Sequence, residues 1–239
     1  MPTARELYQA GRLEEAIESL GVALRSDPTD AQRRVFLFEL LCLTGNHERA
    51  ERQLDVLSRA GPQSELGAML YRGAIQADRL RQQMFATGDF PVTGPPVRPV
   101  TGTLNGKPFN RLEDADPRLG PRLEVYAAGR YLWLPFEHVA SVVMQPPKRL
   151  RDTLWAPALV RTGPGFRGVE LGEVLVPVLT PDAAKHPNPD VRLGRMTEWE
   201  TLSDGGEAPV GQKLLLVDDQ EVPILDVREL EITAPAVSS

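Results

Sequence analysis

One cysteine and three histidines among 239 residues leave little material for redox or metal chemistry. A lone Cys42 excludes an internal disulfide and a cysteine-based zinc site, and three scattered histidines do not make a His-rich metal site. Sparing use of cysteine points to a reducing compartment. Residues Met1 to Tyr8 lack a basic stretch followed by an apolar one, and no run approaches the roughly 20 apolar residues of a membrane span; a cytoplasmic protein is expected. Positive charge is not in excess either. Lys and Arg total 27 against 33 Asp and Glu, a net charge of −6, which leaves no global field to hold nucleic acid or an acidic lipid surface. Neither nucleic acid nor membrane is an expected partner. Apolar residues at 41% are nevertheless enough for a proper core.

Proline is almost missing from the first part of the chain. Only Pro2, Pro28 and Pro62 fall in residues 1–90, and the other 19 lie beyond. Proline removes an amide donor and breaks helix interiors, so the first part can be helical while the second must be loops and short strands. The Pro- and Gly-rich stretch between them reads as a linker. The expected organisation is a helical domain at 3–86, a linker at 87–108, a β-rich domain at 109–233 and a frayed tail at 234–239.

The helical part repeats. Leu7 and Leu41, Gly11 and Gly45, Glu14 and Glu48, Ala16 and Ala50, Leu20 and Leu54, Val22 and Val56, and Pro28 and Pro62 are all 34 residues apart. That is the period of a tetratricopeptide unit, a helix–turn–helix whose apolar face stays uncovered until a neighbour stacks on it. The glycines sit where the first helix must turn, and the small alanines let the second helix approach. Leu13, Ala16, Ile17, Leu20 and Leu24 recur at helical spacing. Residues 64–86 read as a further long helix capping the stack. Two units and a cap fall short of the usual three, so the array is expected to lean on the second domain or on a partner. Such arrays commonly take a peptide or helix in a groove, and Arg33, Arg34 and Glu39 are the candidate groove-facing polar residues.

Beyond Arg122 the pattern is one of short β segments: Leu123–Ala127, Tyr131–Leu134, Val139–Met144, Leu154–Val160, Val169–Val178, Lys213–Val217 and Val222–Val227. The first two flank a hairpin turn at Ala128–Arg130, and Asp218–Glu221 marks another. The fold class is therefore α+β: tetratricopeptide-like α-helical repeats followed by a β-rich, small-barrel or sandwich-like domain.

Several blocks carry a specific resemblance. The runs Arg118–Val125, Tyr131–His138, Leu150–Ala158, Gly172–Pro177, Arg192–Trp199 and Gly211–Leu230 resemble, in order, the ImpE/SciE family, also called TagJ, of bacterial type VI secretion systems. The resemblance spans nearly the whole chain. It implies an adaptor without enzymatic activity or cofactor. Its implied partner is the amino-terminal helix of the small sheath subunit TssB, and it would link or tune handling of the sheath by the AAA+ unfoldase ClpV. Two other readings stay open, an enzyme whose β-rich domain holds an unrecognised site and a purely structural component of the machine. The residues do not specify an oligomeric state.

Other motifs read as structural. Gly163–Gly168 satisfies the spacing of a dinucleotide fingerprint, but no helix pattern follows it, so a hairpin loop is expected. Glu137 and His138, as neighbours on a strand, would point to opposite faces. Cys42 lies in an apolar helical run and reads as buried. Arg151, Asp152 and Trp155 within one family-like block, and Arg192, Arg195 and Trp199 within another, each allow two readings: a structural charge network under Trp133 and Trp155, or a charged and aromatic contact surface. These six residues, with Arg33, Arg34 and Glu39, are the candidate partner-binding set.

Overall fold

The helical half begins with a reciprocal cap in which Thr3 Oγ1 accepts from the Glu6 amide and the Glu6 carboxylate accepts from the Thr3 amide. In a computed structural model describing residues 2–91, 97–168 and 170–233, this cap opens α1 (Ala4–Gln9), followed by α2 (Leu13–Ser26), α3 (Ala31–Leu43), α4 (His47–Leu57) and the long α5 (Pro62–Thr87). The 34-residue period becomes physical here. Gly11 and Gly45 take φ of 75° and 67°, a left-handed turn that a side chain would strain. Ala16 and Ala50 are fully buried, as are Leu20 and Leu54. Val22 and Val56, though repeat-related, are exposed on the outer face.

The second half consists of β1 (Thr101–Leu104), β2 (Lys107–Phe109), β3 (Leu112–Asp114), β4 (Arg122–Ala127), β5 (Arg130–Pro135), β6 (Val139–Met144), β7 (Trp155–Thr162) and β8 (Gly172–Pro177). A short helix α6 (Pro189–Arg192) leads to β9 (Thr197–Thr201), β10 (Glu207–Gly211), β11 (Leu214–Val217), β12 (Gln220–Pro223) and β13 (Glu229–Thr233). An antiparallel eight-stranded sheet runs in the order β2-β1-β13-β6-β7-β8-β4-β5, beside a three-stranded sheet β12-β11-β3 and a β9–β10 ribbon. The sheets are open, so the class is α+β without a closed barrel.

Several expectations need correcting. The linker stretch 87–108 contains β1 and the start of β2, joined by an Asn105–Gly106 turn with φ of 51° and 77°, the two left-handed residues that a tight hairpin wants. The segment 222–227 is not one strand: β12 ends at Pro223, which brings no amide to a ladder, and a 3-10 turn follows over Ile224–Asp226. Glu137 and His138 lie in a 3-10 turn, not on a strand. The hairpin loop expected at Gly163–Gly168 is there, in the connection between antiparallel β7 and β8. Residues 92–96 of the linker stretch, Val169 of the 169–178 segment, and the tail 234–239 lie outside the described residues.

Buried residues of the helices and of the large sheet form one contiguous apolar cluster, from Leu7 through Ile75 to Val176 and Leu230. The short repeat array does lean on the β-rich half, and α5 is the helix that lies on the large sheet.

Candidate functional site

Past Gly73 the helix α5 lies on β4 and β5, and this contact is charged and buried. Arg81 points from α5 into the sheet, where Nε and Nη2 donate to the two carboxylate oxygens of Glu124 at 2.7 and 2.9 Å, and Nη1 donates to the Leu179 carbonyl at 2.9 Å. Arg81 is 2% exposed and Glu124 not at all, so the pair gains from low dielectric only because its hydrogen bonds are satisfied. Lys213, also buried, bridges Glu124 and Asp114, with Nζ 2.6 Å from Asp114 Oδ2. The Tyr131 hydroxyl donates to Glu124 and receives the Trp133 indole N–H. Two cations and two carboxylates balance.

This environment splits the two acids. Burial alone would raise Glu124, but Arg81 and Lys213 overcome it and hold the carboxyl at about 2. Asp114 is pushed up to about 6, mainly by burial and further by Glu124, which Lys213 only partly offsets. One turn before Arg81, Asp78 accepts from the Tyr126 hydroxyl at 2.7 Å and meets His47 Nε2 at 3.2 Å. Its carboxyl is held low despite burial, by His47 and Arg81.

A second seam is aromatic. Tyr71 of α5 stacks on Trp155 at 6.0 Å and 25° and meets Phe38 of α3 at 5.7 Å. Arg151 lies over the Tyr71 ring at 5.2 Å and reaches Glu39 at 3.3 Å, and burial raises the Glu39 carboxyl in spite of that cation. Asp152 caps its own turn, accepting from the Lys148 and Arg149 amides at 2.9 and 3.0 Å. A third seam ties α1 and α2 to α6. Arg192 pairs with Glu14, and Arg195 donates to the Gln9 carbonyl at 3.0 Å and lies over Tyr8 at 5.6 Å. Gly11 is there because a Cβ would come within 2.7 Å of Pro189.

The candidate residues thus separate. Glu39, Arg151, Trp155, Arg192 and Arg195 all meet partners across the two halves of the chain, and Asp152 supports the turn that carries Arg151. Trp133 does not join Trp155: it stacks on Phe90 and meets Phe85, 5.3 and 6.1 Å away. Trp199 stands apart from both arginines and is 40% exposed on β9. Arg33 is exposed and pairs with Asp30 at 3.2 Å, while Arg34 donates to Gln53 at 2.9 Å and to the Pro28 carbonyl at 2.6 Å. Sequence reasoning missed Arg81, Glu124, Lys213 and Asp114. Their signal was a charge inside an apolar run, as in Leu123–Val125, where a strand with both faces covered has nowhere to put a carboxylate but the interior.

Between the α3–α4 turn, α5 and the ends of β7 and β8 lies a cavity of about 520 Å³, lined among others by Cys42, His47, Asp78, Trp155, Leu179 and Lys185. Burial drives the Cys42 thiol well above its ordinary pKa, which suppresses the thiolate. Among the described residues no group of three or more His, Cys, Asp or Glu is arranged to hold a metal, and no helix is long and apolar enough to cross a membrane.

Comparison with known proteins places these features in context. A family model described as ImpE protein matches residues 106–231, and a tetratricopeptide-repeat model matches residues 7–72. The chain is 34% identical over 261 aligned residues to the type VI secretion system accessory component TagJ of Pseudomonas aeruginosa, covering 95% of this chain and 90% of that protein. Its fold matches the crystal structure of protein VPA1032 from Vibrio parahaemolyticus with a TM-score of 0.83 at 23% identity, over 96% of this chain and 97% of that one.

Proposed function

The chain belongs to the ImpE family, and on that premise we propose that it is a non-enzymatic, cytoplasmic adaptor of a type VI secretion system. It binds an amphipathic helix of the small sheath subunit TssB and tunes how the ClpV unfoldase handles the sheath. The observation that carries this reading is the near full-length likeness to TagJ, which spans both the repeats and the β-rich half. The geometry supports it in kind. A repeat array fixed on the β-rich half by three internal seams is a rigid scaffold, and rigid scaffolds lose little entropy when a peptide docks. The buried charges are spent on one another, with no activated nucleophile beside them among the described residues, so the seams serve rigidity and leave recognition to outer surfaces.

Calorimetric titration of the full chain with a synthetic peptide covering the amino-terminal helix of the cognate TssB, beside a scrambled control, tests the reading. Saturable 1:1 binding of the native peptide alone is the expected result. No binding at high micromolar peptide removes TssB as the partner.

A further inference from the structure

We propose that the amino-terminal half of α5 is a docking surface for a helix from another protein, which takes the place of the second helix that the third repeat lacks and carries acidic residues along its flanks. The proposal rests on the adaptor reading above and assigns its site.

The repeat continues one step further than its glycines suggest. Leu7 and Leu41 are followed 34 residues later by Ile75, and all three are buried. Helix α5 is therefore the first helix of a third unit. In the first two units the chain turns at Gly11 and Gly45 and lays a second helix, α2 or α4, along the first. At the matching place α5 has Arg79 and continues as a helix to Thr87. One face of its carboxyl-terminal half then lies on β4 and β5, while Leu80 stays 45% exposed on the other. Among the described residues no second helix lies along its amino-terminal half.

That half carries Leu66, Met69 and Leu70, spaced i, i+3, i+4 on one face and 67%, 63% and 53% exposed. The repeat itself does not demand apolar residues there. The residue matching Leu66 in the second unit is Gln32, and the matches to Met69 and Leu70 are Val35 and Phe36, which are half-buried, Phe36 against Tyr8. The third unit is thus more apolar at these positions and less covered. The stripe also continues an interface already made within the chain. One turn on, Gly73 seats the β4–β5 turn so closely that a Cβ would lie 3.1 Å from Gly129 Cα.

Charge identifies the occupant. Next to Gly129 stands exposed Arg130, and on the Tyr71 side the turn that puts Arg151 over that ring begins with exposed Lys148 and Arg149. None of Arg130, Lys148 and Arg149 has an ion-pair partner among the described residues, whereas Arg72 is matched by Asp55 and Arg151 by Glu39. Against them the stripe itself offers only Glu65, at the start of the helix where an acid suits the dipole. An apolar strip with unpaired cations at its Gly73 end and on its Tyr71 side is complementary to an amphipathic helix with acidic flanks, in a chain whose net charge is otherwise negative.

The test titrates the full chain with the TssB peptide, with a designed amphipathic helix bearing leucines on one face and glutamates on its flanks, and with a lysine-flanked copy of that helix. The variant is Leu66→Ser/Met69→Ser/Leu70→Ser, whose melting should match the parent because these side chains are exposed. Should it not fold, Arg130→Glu/Arg149→Glu takes its place. Expected are binding of the glutamate-flanked helix, at least about tenfold weaker binding by the variant, and none by the lysine-flanked copy. If that holds while the TssB peptide fails to bind, the docking site stands and TssB is not its ligand. If the TssB peptide binds parent and variant equally and the glutamate-flanked helix does not bind, the α5 site is overturned and the adaptor reading survives. Failure of both peptides overturns both. Dimerisation of the free chain, abolished in the variant on sedimentation, would give the stripe to a second copy and overturn the proposal.

Discussion

The two halves of α5 are built alike and treated differently. Both carry apolar residues at helical spacing, but from Ala74 to Phe85 the helix sinks Ala74, Ile75, Ala77 and Arg81 into the molecule and leaves Leu80 exposed, whereas from Leu66 to Leu70 it buries Ala68 and leaves three large apolar side chains in water. The neighbours of each half set the difference. The second half lies on β4 and β5, where buried Glu124 can use an arginine; the first packs on α4 and, through Tyr71, on Phe38 and Trp155, and nothing covers its outer face among the described residues. Hydrophobic pattern alone marks both as core, and the partner decides which one becomes core within the chain.

The comparison breaks first at Arg81. Arg81→Leu leaves Glu124 and Asp114 buried with one lysine between them, and losing one partner of a buried pair costs about 3–5 kcal/mol. Urea unfolding should register this, and Arg81→Leu/Glu124→Leu should recover part of it by removing the stranded carboxylate. A double variant less stable than Arg81→Leu would mean that the ion pair is not the source of the loss. Trp155→Ala strikes the aromatic seam, where the indole is 4% exposed under Tyr71. Truncating a buried Trp costs about 3 kcal/mol or more, so destabilisation should precede any selective loss of TssB-peptide binding. A variant with normal melting and no binding would make Trp155 a contact residue.

Legibility in the sequence tracks range along the chain. The repeat was readable because helix spacing, turn glycines and the 34-residue period are local, and Leu123–Ala127, Tyr131–Leu134 and Val139–Met144 were readable because both hairpin and alternation lie within a dozen residues. β1 was missed although Asn105–Gly106 announced it, because the surrounding Pro and Gly read as linker. It pairs with β13, and that pairing joins Thr101 to Thr233 across the whole second half. β10 is hidden by Pro209, and β9 alternates Thr and Trp with Glu but carries no row of aliphatic residues to mark it as a strand. For the candidate site, sequence found residues that matter but not their partners. By sequence Glu39 faces a groove and Arg151 belongs to the β-rich half, while the structure brings them together across 112 positions. Nothing local in either segment encodes that meeting.

The charged seam also makes a pH prediction. Asp114 keeps its proton to about pH 6 in the folded chain, whereas its ordinary value is 3.8. Between those values the folded state binds more protons than the unfolded one, so this group's contribution to stability falls as pH rises through the window. Glu124 has the opposite sign: held at about 2 against an ordinary 4.5, its contribution is complete above 4.5 and is lost as pH falls toward 2. The stability of the parent relative to Asp114→Asn should therefore drop by up to about 3 kcal/mol as pH is raised through the Asp114 window. Urea titrations at stepped pH check it, and parallel curves for the two proteins would show that Asp114 does not titrate abnormally.

The smallest effects divide the two halves of α5 most cleanly, because they need no change of charge. Gly67 and Gly73 are both helical, and in an open helix alanine is preferred to glycine by about 1 kcal/mol. A Cβ on Gly67 would meet nothing within 4 Å, while one on Gly73 would lie 3.1 Å from Gly129 Cα. That neighbour is backbone, in a turn held by Ala128 and Gly129 at φ of 49° and 75°, and cannot swing aside as a flexible side chain would. Gly67→Ala should therefore stabilise the chain by about 1 kcal/mol, and Gly73→Ala should lose that gain to the close contact and come out neutral or destabilising. Denaturant midpoints of the two variants decide it. An equal gain at both positions would mean that the β4–β5 turn is not seated on α5, and the boundary between its covered and bare halves would have to be drawn further along the helix.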